Sequence, residues 1–589
     1  MKSLIQLQQY RKCIIFFMVG VMCSSLAFVT YVINPVNMIV QHKLKMSPSS
    51  MIFSLWRKPP IGIYINVYIF NITNAEAFLN GDEKILKVEE IGPYVYEETL
   101  ENRNITWNEN GTISYIPKRT VQFRRDLSVG KPEDDYVMVP NIPMLGIFSS
   151  LHNAGFFVNY PFAQLTNFLD SKPILHIPVQ DYLWGYDDSL VSLAGTVVPS
   201  YIDFKKFGLL DRMYDEGENL INMNIKDNED MVEERGRYLS IESINGNAGL
   251  SNWGYVNVEG NESRPDESNV RVVRFLGRNT RCNSIRGATE ATVFPSKMDE
   301  HAVFRVFRKA FCRPIPIVFE KRLDLHGLPA FQYTIPDNFA DPPELNPDNE
   351  CFCREKECLK RGLLDLTPCY YNIPAAASMP HFLNADPTLA NGIEGLSPEP
   401  EKHSTVIILQ PVRQLKIIKI KKRLTVRVSA FPQNTGIPMY VHSRLQTNLV
   451  MRETQYNSKI APFNGLTVPL FWTDLLNICL NCEINPQPTQ EIASLPDDLM
   501  LLLQLGINVA PVIQLVFVIL LAIGGLASIC WSLLRALLIV QEEQQRQEAA
   551  DMERRESTDL RIPLDYGQYT AIRILPAIKK ITSKTDLFV

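Results

Sequence analysis

Residues 14–33 read IIFFMVGVMCSSLAFVTYVI, twenty in a row without a charge. At ~1.5 Å per helical residue this run spans the ~30 Å hydrocarbon core of a bilayer. Lys2, Arg11 and Lys12 precede it, so its N-terminal side is expected to stay in the cytosol. A cleaved signal peptide would carry an apolar stretch of only ~7–15 residues and end at small residues. This run is longer and ends in Val32-Ile33-Asn34-Pro35, so it reads as a retained anchor.

A second uncharged stretch extends from Leu499 to Leu534, and its best helix is Pro511 to Leu534, stopped by Arg535. Gln514 is the one strongly polar side chain inside it, and the pair Gly524-Gly525 lets another helix approach closely. Beyond it lie Arg546, Arg554, Arg555, Arg561, Arg573, Lys579, Lys580 and Lys584, which mark the tail as cytosolic. The segment from Leu533 to Arg555 reads as a solvated continuation of the helix. The expected division is therefore a cytosolic N-terminus (1–12), a membrane helix (13–33), a large extracellular or luminal domain (34–508), a second membrane helix (511–534) and a cytosolic tail (535–589).

Composition agrees with a folded domain between two anchors. Of 589 residues 46% are apolar and 21% charged, far from a disordered composition. A net charge of −5 gives no basic face for nucleic acid. Sequons at Asn71, Asn104, Asn110 and Asn261 all fall in the segment placed outside and are candidate glycan sites. Six of the eleven cysteines, Cys282, Cys312, Cys351, Cys353, Cys358 and Cys369, lie within 88 residues, which reads as a disulfide set. The sequence leaves fifteen pairings open. A zinc site on Cys351, Cys353 and Cys358 is the rival, but C-x-C is not the usual structural-zinc spacing. Cys479 and Cys482 read as a structural bridge or free thiols, and Cys13, beside Arg11-Lys12, as a palmitoylation candidate.

Between the anchors, strand signals dominate. In Gly62–Phe70 the residues Ile63, Ile65, Val67 and Ile69 share a face; Thr405–Leu409, Leu415–Ile420 and the alternating Leu424, Val426 and Val428 look like neighbouring strands. Ile142 to Asp170 differs. Leu145, Phe148, Leu151 and Phe156, then Phe162, Leu165 and Leu169, recur at helical spacing, with Pro161 expected to open the second helix of a pair. This Phe-rich pair is either core packing or an exposed apolar patch for a lipid or a partner.

Taken together, IGPYVYEE (91–98), LWGYDD (183–188), FCRPIPIVFE (311–320), NPDNECFC (346–353), GLLDLTPC (362–369), PHFLNADP (380–387) and EKHSTVIILQP (401–411) resemble, in order and spacing, the class B scavenger receptor family, which includes fatty-acid translocase, the lysosomal integral membrane proteins, croquemort and the sensory neuron membrane proteins. The resemblance implies a mixed α+β, mainly β fold with an antiparallel β-barrel core, a hydrophobic tunnel and an apical helical bundle. It implies pairing of Cys282 with Cys351, Cys312 with Cys369 and Cys353 with Cys358, and places Phe148, Phe156, Phe157 and Phe162 in a ligand-binding apex. The basic apical cluster of several members is reduced here to Lys172, with His152 and His176, which argues against direct attraction of acidic particles or fatty-acid carboxylates.

No catalytic motif is present: there is no G-x-S-x-G, H-E-x-x-H, P-loop or G-x-G-x-x-G. The expectation is a receptor and not an enzyme, without a cofactor. Its expected partners are membrane lipids, fatty acids, sterols or lipoprotein-like particles, which it takes up or transfers to the membrane. The alternatives are a trafficking receptor for a luminal protein and an odorant or pheromone co-receptor. The expected location is the plasma membrane, with cycling to endosomes or lysosomes read from Tyr569-Thr-Ala-Ile572, a tyrosine-based sorting pattern.

Overall fold

The computed structural model describes residues 2–559 apart from 60–61, 201, 216, 227–237, 257–278, 295–299, 326–327, 354–357, 410–437, 455, 479–500 and 502–504. The sequon at Asn261, the pair Cys479 and Cys482, the sorting pattern at Tyr569 and Ile572, and the strands expected over 415–420 and 424–428 lie outside the described residues. Two compact units form: Met1–Asn34 with Leu515–Val589, and Pro35–Gln514.

The first unit is a helix pair. The helices Lys2–Ile33 and Ala510–Asp559 contain the spans Tyr10–Ile33 and Ala510–Arg555, with mean hydropathy 2.3 and 2.6 and almost no burial, as expected of surfaces that face lipid. This is a membrane protein with two helices apolar enough to cross. A Cβ placed on Gly20 would stand 2.7 Å from the Gly525 carbonyl oxygen, whereas Gly524 faces open space. Only one of the two neighbouring glycines is therefore needed for the close approach. Phe16 and Trp531 meet edge to face at 4.7 Å, and Ser532 Oγ donates to the Cys13 carbonyl at 2.6 Å.

The second unit is built on strands. In chain order they are β1 (Gly62–Ile72), β2 (Leu86–Trp107), β3 (Thr112–Phe123), β4 (Tyr136–Pro140), β5 (Ile174–Pro178), β6 (Ile221–Asn224), β7 (Ser240–Ile244), β8 (Ala288–Thr289), β9 (Phe304–Val306), β10 (Ile315–Leu325), β11 (Leu328–Thr334), β12 (Leu364–Asp365), β13 (Ala375–Ser378), β14 (Ile393–Glu394), β15 (Val406–Leu409), β16 (Pro438–Val450) and β17 (Thr467–Ile478). Among the described residues the main sheet runs β7-β6-β3-β2-β1-β17-β16-β15-β11-β10-β9-β8, with β13 added on β16, and almost closes on itself. Nearly all its pairings are antiparallel, as the alternating patterns foretell; β8 with β9 and β14 with β2 are the parallel ones.

Why β1 is central follows from its sequence. Ile65, Val67 and Ile69 are fully buried on one face, while Tyr64 and Phe70 are buried from the other. Such a strand needs a neighbour on each edge, and β2 and β17 supply them. The β1–β2 register slips between Val67 and Ile69, opposite Gly92. A side chain there would press a Cβ to 2.7 Å from the Val67 carbonyl oxygen, so glycine permits the bulge. Three disulfides, Cys282–Cys351, Cys312–Cys369 and Cys353–Cys358, tie the segment around β9–β12.

The Phe-rich segment forms two helices, Ile142–Ser150 and Phe156–Phe168. The second begins five residues before the expected Pro161, which lies inside it. Proline at this position forgoes the bond its N–H would make to the Phe157 carbonyl, and the helix absorbs that loss near its exposed N-terminal end.

Candidate functional site

An apolar cavity lies inside the second unit. Alternation on β16 turns Leu445, Thr447 and Leu449 to one face, and β13 adds Ala375 and Ala377 in the same way. The facing wall is the short helix Leu209–Tyr214, whose Leu209, Arg212 and Met213 fall at i, i+3 and i+4 and so share a side. Together they bound roughly 770 Å³ of atom-free space, part of it open to solvent. Small residues on β13 leave room that a leucine or phenylalanine would fill.

Of the eighteen lining residues Arg212 alone is charged. No motif marks this residue; the signal in the sequence is a lone basic side chain on the apolar face of a short helical turn, GLLDRMY. Its Nε and Nη2 donate to Asp211 Oδ2 at 3.1 and 2.5 Å, and its guanidinium lies 4.3 Å from the centre of the Phe204 ring. Burial works against the charge, but the bonds to Asp211 and Tyr371 outweigh it, and the group titrates above its ordinary value.

Beside the cavity, across the Lys309–Phe311 turn, a more polar chamber is lined by Arg119, Glu290 and Arg308. Under it Glu98 is fully buried between Arg119, at 3.2 Å, and Arg308, at 3.5 Å, and accepts from the Tyr214 hydroxyl at 2.8 Å. Burial alone would push this carboxyl up; the two guanidinium charges and the tyrosine overcome it and hold the group below its usual range. Tyr214 ends the helix that carries Arg212, so the ion cluster also pins that cavity wall.

The residues singled out in the sequence scatter. Phe148 is 1% exposed, in the core against Phe162, with ring centres 4.8 Å apart. Phe156 and Phe157, by contrast, are 46% and 89% exposed and form an aromatic patch with Tyr160 and Tyr456. Lys172 is exposed. Asn104 and Asn110 are exposed, whereas Asn71 is half-buried in β1 and its Oδ1 accepts from the Met138 N–H at 2.8 Å. Cys13 is buried within the helix pair.

A mostly antiparallel, nearly closed sheet around an apolar cavity, three disulfides and two bilayer-length helices can be set against known proteins. The profile of the CD36 family matches residues 13–536. This chain belongs to the CD36 family. Relatives in the same family include bovine scavenger receptor class B member 1, 27% identical over 458 residues (77% of this chain, 78% of the bovine protein). Rat scavenger receptor class B member 1 is 26% identical over 457 residues, with the same shares of each chain. Human lysosome membrane protein 2 is 30% identical over 404 residues, 67% of this chain and 74% of the human one. The CD36 family match thus covers the uncharged runs 14–33 and 511–534 and everything between them.

Proposed function

We propose that this chain is a scavenger-type receptor that takes lipid into the β13–β16–β17 cavity and passes it to the membrane without altering it chemically. The observation that carries this reading is the cavity itself: apolar along its walls and bounded by strands of the main sheet. An alkyl chain gains roughly 0.8 kcal/mol per CH2 removed from water. Shielding alone therefore suffices to hold it, and a tunnel that continues the cavity would carry it. In this reading residues 34–508 lie outside the cytosol, both termini lie within it, and the protein works at the plasma membrane with passage through endosomes.

The test is mass spectrometry of small molecules that co-purify with the full chain, compared with Ala377→Phe, which fills the cavity from β13. Sterols, fatty acids or phospholipids present in the wild type and depleted in the variant are the expected result. A wild type that carries nothing, or a variant that carries the same lipids, refutes the cavity as the site.

A second reading rests on the exposed Phe156–Phe157–Tyr160–Tyr456 patch: a trafficking receptor that binds a luminal protein there. Under it Phe157→Asp abolishes partner capture and Ala377→Phe leaves capture intact. Under either reading Tyr569→Ala shifts the protein toward the cell surface.

A further inference from the structure

The loop from Gly395 to His403, between β14 and β15, is a strap pinned at its ends and held in the middle by histidines. At its start Gly395 sits at φ 105°, so close to the Val88 carbonyl that a Cβ would have no room. At its end Arg444 Nη1 donates to the Glu401 and Ser404 carbonyls at 3.3 and 2.8 Å. Between these points Pro398 and Pro400 have no N–H to give. The Ser397 N–H donates to His381 Nδ1 at 3.1 Å, and the Glu399 N–H to His403 Nδ1 at 2.8 Å. Pro398, Pro400, Glu401 and Lys402 are exposed, so the middle of the strap has little packing to hold it.

An imidazole nitrogen accepts a hydrogen bond only while it carries no proton. Both rings are therefore neutral, with the hydrogen on Nε2, where His381 meets Glu90 Oε2 at 2.7 Å. The two rings are 6% and 4% exposed and stack with centres 4.4 Å apart, so a charge on each would repel the other. Facing them are Glu90 from β2, Arg444 from β16, and Glu399 and Lys402 from the strap. Phe70 and Tyr68 from β1 and Trp472 from β17 bring no charge. Glu399 pairs with Lys402 and Arg444 with Asp474 of β17. That leaves Glu90, which already accepts from Trp472 Nε1 at 2.7 Å, to offset one imidazolium but not two. A proton on either Nδ1 sets a donor against a backbone donor, and the bond is lost.

We propose that His381 and His403 are the latch of an acid-released strap: at neutral pH they hold residues 396–403 against the sheet, and in an acidic compartment protonation at Nδ1 frees them, withdrawing Leu396 and the His403 ring from the core beside Trp472. Burial and the neighbouring His381 ring push the His403 imidazole from its ordinary 6.5 down to about 4. A released strap takes up that proton below 6.5 and a latched one only near 4. The hold is therefore complete at neutral pH, weakens as the pH falls through that window and is least at its lower end. The device is separate from the identity of the ligand.

Amide hydrogen exchange of the full chain in nanodiscs at about pH 7.5 and about pH 4.5 tests it, each amide scaled to its own chemical exchange rate and β1 serving as internal reference. Ser397 and Glu399 are expected to lose protection roughly three- to ten-fold in acid, the worth of one hydrogen bond, while β1 is unchanged. Asparagine accepts through Oδ1 where Nδ1 did and takes no proton, so His381→Asn should keep Ser397 protected at both pH values, and His403→Asn should do the same for Glu399. His403→Phe should leave Glu399 unprotected at both. Equal protection of the wild type at the two pH values overturns the proposal without any variant. An acid loss that persists undiminished in both asparagine variants overturns it too, as does a loss that spreads equally to β1, which is unfolding of the whole domain.

Discussion

The helices Ile142–Ser150 and Phe156–Phe168 are neighbours in sequence, both apolar, and opposite in fate. The first buries Ile142, Met144, Leu145, Phe148 and Ser149. It is fixed at one end by Asn141, whose side chain accepts from the Met144 N–H at 3.1 Å, and at the other by Ser149 Oγ, which donates to the Val450 carbonyl at 2.8 Å. The second buries Asn159, Ala163 and Thr166, a stripe at i, i+4 and i+7, and turns Phe156, Phe157 and Phe168 outward. Its N-cap, Gly155, offers no side-chain bond. Here the inward face is small and polar: Asn159 Nδ2 satisfies the Leu151 and Ala154 carbonyls at 3.1 and 2.6 Å, closing the turn between the helices. Apolar residues thus build the core in one helix and are displayed by the other. A large exposed aromatic patch is uncommon on a surface that meets only water.

Five substitutions strain that contrast, in decreasing order of effect. Phe148→Ala should lower the stability of the strand-rich unit by about 3–5 kcal/mol, the cost of emptying a packed phenylalanine site; a loss near zero in urea unfolding would mean that the first helix is not core. Pro161→Ala restores a missing helix bond and should stabilise the second helix by about 1–2 kcal/mol, the helix penalty of proline less its effect on the unfolded chain, read as slower amide exchange across 156–168. Asn141→Ala removes the cap of the first helix and should cost about 1 kcal/mol. Phe157→Asp and Phe168→Ser should change stability by less than about 0.5 kcal/mol while Phe157→Asp removes whatever binds the patch. A variant at Phe157 that unfolds would show the second helix to be packed after all.

The same contrast shows what the sequence can reveal. The two bilayer-length runs need only counting; β1 follows from the alternation of Ile63, Ile65, Val67 and Ile69, and the strand at Val406–Leu409 from a short continuous apolar run. In the Phe-rich segment hydrophobic spacing marks helices and not their inward faces: at Asn159 and Thr166 hydrogen bonds to turn and helix carbonyls decide burial, and no hydropathy pattern carries that information. Pro161 misleads for a related reason, since proline favours first turns but is tolerated deeper where the helix end is exposed. The cavity depends on strands far apart in sequence, β13 with β16 and β17, and on Arg212, which chain-local reading treats as one more surface cation.

The disulfides bear on how the chain is made. Along the sequence Cys312 falls between Cys282 and Cys351, and Cys369 follows both, so the two long links interleave. A ribosome delivers Cys282 and Cys312 while both of their final partners are still unsynthesised. An oxidation at that stage would join the wrong pair, and thiol–disulfide exchange would then have to undo it after residue 369 has emerged. A host that joins Cys282 to Cys312 early therefore needs disulfide shuffling to bring this chain to its final pairing.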